Sequence, residues 1–164
     1  MPRQFIARML TPERVDCAYP IVRLAANDLS PDAWRQLSCA FLQPDDKRPL
    51  NSGIVTIEDD DGYVHGLCSY SVTPDLRHGP SLLVDNFIAV DIVHTERARL
   101  ALIDAMMALA RRLGCHAVHL TVPVPGSPHE CGHSLSSAVL STGERVDAIR
   151  LCKVLVPTEG IVHH

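Results

Sequence analysis

Apolar positions along the chain switch between two spacings, and the switches divide it into elements. Through residues 95 to 113, Leu102, Ile103, Met106, Leu109, Ala110 and Leu113 recur at intervals of three and four, the spacing that lines one face of a helix. Arg111 and Arg112 in the last turn and Gly114 just beyond suit its C-terminus. "LLVDNFIAV" (82 to 90) is instead a nearly continuous apolar run, which predicts a strand covered on both faces. "GIVTIE" and "YVHGLCSYSV" flank "DDDG" and predict a hairpin closed by a tight acidic turn.

Turn and cap residues place the rest. "FIARML" (5 to 10) reads as a first strand, and Thr11 with Pro12 then starts a helix that Pro20 is expected to break or kink. Ser30 and Pro31 repeat the device at the head of "SPDAWRQLSCAFL", before the polar loop 43 to 53. "TPDLRHGPS" is expected to link the hairpin to the 82 to 90 strand. "CHAVHLTV" (115 to 122) suits another strand, "PVPGSP" a rigid link, "HECGHSLSSAVLSTG" a helix ending at Gly143, and "VDAIRLCKVL" a closing strand. The resulting order is β-α-α-β-β-β-α-β-α-β, a single domain over residues 1 to 164.

Composition narrows the classes without naming one. Hydrophobic residues at 46% and charged residues at 21% are those of a chain that folds around a core. A formal charge of -4 argues against a nucleic-acid partner, which calls for a basic face. No basic start followed by an apolar run and a small-residue cleavage site follows Met1, and Asp104 interrupts the most apolar helix; no membrane contact and a cytoplasmic location are expected. The six cysteines are scattered with no C-x-x-C, which suggests thiols rather than a disulfide framework. His129 and His133 have the spacing of a zinc pair, yet no second pair is evident, so no metal is assigned. "EDDDG" lacks the further ligands of a calcium loop and reads as a turn.

The order and spacing of these elements resemble the GNAT superfamily of N-acetyltransferases from roughly Phe5 to Leu155. Local strings add to the likeness: "ERVDCAYPIVRL" is similar to the family's first helix, which often carries a mid-helix proline, and "FIAV" to the end of its fourth strand. "LIDAMMALARRLGCHAVHL" is similar to its third helix running into its fifth strand, and "RLCKVL" to its last strand. The resemblance implies an α/β (α+β) fold with a mixed, mainly antiparallel sheet flanked by helices. It also implies acetyl-CoA as acyl donor, and an amine acceptor that is either small or an amino group on a peptide or protein. A homodimer is among the assemblies it allows.

In that family the fourth and fifth strands splay, and the pantetheine arm bonds to exposed strand-four backbone. The resemblance assigns that role to Ile88, Ala89 and Val90. The pyrophosphate sits on an R/Q-x-x-G-x-G/A loop at the start of the third helix, where unpaired N–H groups attract anions. Registering "LIDA" on that helix assigns the contact to His94, Thr95, Glu96, Arg97, Ala98 and Arg99. His94 falls at the R/Q position, and Arg97 and Arg99 fall where the glycines stand. A Cβ costs roughly 1 to 2 kcal/mol in the left-handed conformations glycine tolerates, so the loop must differ in shape. Arginine offers a planar fork that matches phosphate. Helical projection puts Arg99 on the inner side with Ile103, Met106 and Ala110, where it meets either a phosphate or Glu96; Arg97 projects outward.

The family's chemistry is direct attack of an amine on the thioester, assisted by a base and an acid. Its acid is a tyrosine four residues before the glycine that ends the fourth helix, and Val139 stands there in this chain. Asp85 is the candidate base, with a structural pairing as its alternative; His119 is a second candidate with the same alternative. The missing glycines and Val139 keep a second reading open, a non-catalytic module that binds a ligand or partner.

Overall fold

The computed structural model describes residues 4–42, 51–90, 95–123 and 148–156. Strands β1 (Ile6–Met9), β2 (Ser52–Glu58), β3 (Val64–Asp75), β4 (Gly79–Ala89), β5 (Ala117–Pro123) and β6 (Ala148–Val154) form one sheet in chain order. All neighbours run antiparallel except β4 and β5, which are parallel and joined across α3 (Thr95–Arg112). A 3-10 turn at Pro12–Arg14 leads into α1 (Val15–Ala25), followed by α2 (Pro31–Leu42). This is the mixed, mainly antiparallel sheet expected from the sequence. The expected helix at 129 to 143 lies outside the described residues.

Strand alternation sorts the apolar side chains between two cores. Val55, Ile57, Cys68, Tyr70, Leu82 and Val84 point to the face covered by α3, where they meet Leu102, Met106, Leu109 and Ala110. Ile54 and Leu67 point the other way, onto Ala18, Val22 and Trp34 of α1 and α2. The helical spacing of α3 is thus its buried stripe.

Polar contacts help seat α1 and α2. The Trp34 indole N–H donates to the Val15 carbonyl at 2.8 Å, and the Tyr19 hydroxyl donates to the Leu29 carbonyl at 2.8 Å. Glu58, with only 4% of its side chain exposed, takes Arg14 at 2.8 Å and Arg8 at 3.4 Å, tying the approach to α1 to the first two strands. Ser30 caps α2 by accepting the Ala33 N–H at 3.2 Å. Thr11 makes no equivalent side-chain bond.

One expectation is narrowed and one needs correction. Pro20 lies inside α1 without ending it; only the Asp16 carbonyl, four residues back, loses its helical donor there. "TPDLRHGPS" is not a free link, because β3 and β4 continue through most of it as a second hairpin. Asp75 Oδ1 accepts the N–H groups of Arg77 and His78 at 2.9 Å each, and Gly79 takes φ +73°, so the turn closes within three residues. Pro74 faces Pro80 across the hairpin, a pairing in which neither residue offers an N–H.

The acidic turn between β2 and β3 closes as expected, with Gly62 at φ +82°. Burial of Asp59 favours its neutral form, but the His65 ring nitrogen at 2.8 Å and the Tyr63 and Asp61 N–H groups at 3.0 Å outweigh that and hold its pKa below the ordinary value. A carboxyl whose folded pKa is depressed stabilises the fold above its unfolded pKa and loses that contribution as pH falls through the folded value. The stability gap between the wild type and Asp59→Asn, measured by urea unfolding, is therefore expected to be full above roughly pH 5 and to shrink below about pH 4. A gap unchanged down to about pH 3 contradicts the assignment.

The feature that opens the sheet is a bulge in β4. Leu67 pairs with Ile88 and Ser69 with Asp85, so one β3 residue, Cys68, faces two on β4, Asn86 and Phe87. Asn86 absorbs the extra residue at φ 51°, a left-handed conformation that asparagine tolerates. Its side-chain amide donates to Ser69 Oγ at 2.8 Å, and that hydroxyl donates to the Asp85 carbonyl at 3.1 Å. Asn86→Ala removes both the bond and the tolerance and is expected to cost about 2 kcal/mol, against about 1 for Asn86→Gly, which keeps the conformation. Equal losses in urea unfolding contradict this account of the bulge.

Candidate functional site

β4 and β5 pair only from Ser81 and Ala117 to Val84 and Leu120. Beyond that point β4 runs on to Ala89 beside β3, and β5 runs on to Pro123 beside β6. The two strands part at the bulge, which leaves the outer edge of β4 without a neighbouring strand among the described residues. A cleft of about 670 Å³ lies over the parting, floored by Ser69, Asp85, Asn86 and Thr121 and walled by Val22, Leu29, Trp34 and Leu37.

Asp85 follows Val84 on the strand, so its side chain faces away from α3 and into the cleft. It is half-buried, and among the described residues its carboxylate has no hydrogen-bond or ion-pair partner. The structural pairing left open for it in the sequence is not made there. Thr121 enters from β5, with a buried hydroxyl that has no partner among the described residues. It was not singled out in the sequence, although its alternation with His119 along the strand places both on the same face as Asp85.

Backbone alternation decides which groups of β4 are available. The Val90 N–H donates to the His65 carbonyl at 2.8 Å. In an antiparallel ladder that pairing alternates, so Ile88 also turns its N–H and C=O toward β3, while Ala89 turns both outward into the gap. Of the three residues implied for pantetheine, Ala89 is therefore the one whose backbone groups face away from β3, and the side chains of Ile88 and Val90 pack on the α1 and α2 core.

α3 begins at Thr95, five residues after Val90 in the chain, and its first-turn N–H groups have no helical partner of their own. His94 lies outside the described residues. Ala98 is the buried residue of the first turn, at 0% exposure. Arg99 does not turn inward as the helical projection placed it: its side chain is 51% exposed and meets Glu96 at 3.4 Å. The inner stripe runs through Ala98 and Leu102, one position earlier. Arg97 is likewise exposed.

His119 is not in the cleft. It lies beside His78 and Cys152, with Cys152 Sγ 3.6 Å from its Nε2. Val139 and the pair His129 and His133 lie outside the described residues, and no described helix is long and apolar enough to cross a membrane.

No protein-family description and no curated protein matches this sequence. Solved structures do match. Glucosamine-6-phosphate N-acetyltransferase from Arabidopsis thaliana superposes with a TM-score of 0.58 at 11% identity, over 93% of this chain and 99% of that one. An aminoglycoside N-acetyltransferase in complex with CoA gives 0.60 at 16% identity, over 92% and 93%. Ribosomal-protein-alanine N-acetyltransferase from Brucella melitensis biovar Abortus 2308 gives 0.58 at 20%, over 74% and 83%. The likeness is one of fold, and the fold is that of the GNAT N-acetyltransferases.

Since Arg99 and Glu96 form an exposed pair, Arg99→Ala is expected to change folding stability by less than about 0.5 kcal/mol. A larger loss in urea unfolding means that Arg99 supports the fold, and its use as a ligand probe then fails.

Proposed function

We propose that this protein is an acyl-CoA-dependent N-acyltransferase that acts on a small amine or on an amino group of a peptide or protein. The observation that carries the reading is the parting of β4 and β5 with Asp85, whose carboxylate has no partner among the described residues, in the cleft above it. Acetyl-CoA would lie in the gap with its pantetheine amides on the outward N–H and C=O of Ala89. The first turn of α3, with Arg97 and Arg99 standing where relatives of this fold carry glycines, would receive the pyrophosphate, and His94 would flank it.

The amine nitrogen attacks the thioester carbonyl carbon, and its proton passes to Asp85 directly or through one water. Collapse of the tetrahedral adduct breaks the C–S bond, forms the amide and releases the thiolate of coenzyme A, which takes a proton from solvent. The apolar wall of Val22, Leu29, Trp34 and Leu37 favours an acceptor with an apolar body next to its amine.

Acetyl-CoA at about a hundred times its dissociation constant is expected to stabilise the protein by about 2.7 kcal/mol, a rise in Tm of roughly 5 to 10 °C. Arg99→Ala should reduce the rise. Asp85→Asn should preserve it while lowering kcat with an amine panel by about 100-fold or more. An unmoved midpoint at millimolar acetyl-CoA overturns the reading. A normal rise with no thiol release from any amine favours the non-catalytic binding module, for which the glycine-free segment is the motive.

A further inference from the structure

We infer that His78, His119 and Cys152 form a zinc site on the sheet face that also carries the cleft. Their ligand atoms, two imidazole nitrogens and one thiol sulfur, all lie within 4.8 Å of one another. They come from three separate places in the chain, the β3–β4 turn, β5 and β6, so no local sequence spacing reveals them. His119 and Cys152 are direct cross-strand partners, an arrangement that sets two ligands side by side on one face. The β3–β4 hairpin then brings His78 over them, with the two imidazole rings 5.8 Å apart and nearly perpendicular.

The separations suit a tetrahedral ion. Bonds of about 2.3 Å to sulfur and about 2.0 Å to nitrogen put a sulfur and a nitrogen ligand roughly 3.6 Å apart. Cys152 Sγ is 3.6 Å from His119 Nε2 and 3.9 Å from His78 Nδ1. The surroundings fix the third ligand. Asp75 Oδ1 lies 3.0 Å from His78 Nδ1, and the His78 carbonyl lies 3.1 Å from His116 Nδ1, which holds the turn to the head of β5. Because Asp75 contacts the same ring nitrogen that faces Cys152, zinc takes the place of that contact on binding, and the turn stays held through the His78 carbonyl.

A thiolate with two imidazoles selects zinc over magnesium or calcium, which prefer oxygen. On binding, the Cys152 thiol loses its proton to solvent and both imidazoles bind in the neutral form. Three protein ligands leave the fourth position for water or another donor. His119 lies two residues before Thr121 on β5, about 7 Å along the strand, so the cluster neighbours the cleft. The site stands whether or not the protein transfers acyl groups.

Cobalt titration of the full chain, purified without a metal-affinity step and freed of metal, tests the site directly. One equivalent of cobalt is expected to give a thiolate-to-metal charge-transfer band that zinc abolishes by displacement. The band is expected to vanish in Cys152→Ser and to weaken in His119→Ala, while the far-ultraviolet circular dichroism of both stays that of the wild type. A wild-type protein that shows no such band overturns the proposal. So does a band that persists in Cys152→Ser, since the metal then sits elsewhere on the chain. Zinc is also expected to raise the wild-type Tm and not that of His119→Ala, and an equal rise in both overturns the assignment.

Discussion

The parting of two strands at one left-handed residue is the constraint on which the candidate site depends. Parallel pairing between β4 and β5 stops at Val84 and Leu120, and the next β4 residues carry the bulge at Asn86. The Ser69 hydroxyl holds that bulge from both sides, accepting from the Asn86 amide and donating to the Asp85 carbonyl. The bulge thus falls where the parallel pairing with β5 ends, and Ala89 beyond it turns its backbone groups away from β3. Asp85, in register with Ser69 just before the bulge, faces the cleft by simple alternation with Val84.

The rest of the molecule keeps the gap open. α1 and α2 form the cleft wall, joined by their shared core, by Trp34 on the Val15 carbonyl and by Arg35 on Asp16, while the buried Glu58 ties the segment ahead of α1 to the sheet. α3 covers the opposite face with a stripe that starts at Ala98, with Arg97 and Arg99 exposed in its first two turns. Two kinds of polar chemistry thus share one sheet face. Asp85 and Thr121 lie at the parting, and His119 with His78 and Cys152 lies just below it where the strands are still paired.

Elements with strong local periodicity were legible in the sequence. The helical stripe of α3, the acidic turn at Gly62 and the apolar run of β4 each carry their signal within a few residues. The β3–β4 hairpin was misread as a link because Pro74, Pro80 and Gly79 are turn-forming residues, yet facing prolines satisfy a ladder that neither would fit alone. Arg99 was turned inward by a projection that ran one position late along the helix, since Ala98 is too small to announce itself as the buried residue. Asn86 inside an apolar strand was the one local sign of the bulge; its lock, Ser69, had none. The meeting of His119 with Cys152 and His78 is set by strand pairing over long separations, which a single sequence does not encode locally.

Residue-resolved hydrogen exchange with and without saturating acetyl-CoA tests the central claim most directly. The ladder alternation leaves the Ala89 amide facing the gap and turns the Ile88 amide toward β3. The account predicts that bound acetyl-CoA slows exchange at Ala89 and leaves Ile88, already protected by β3, nearly unchanged. Saturation by acetyl-CoA with no slowing at Ala89 would contradict it, for the ligand would then lie somewhere other than the opening that the Asn86 bulge creates.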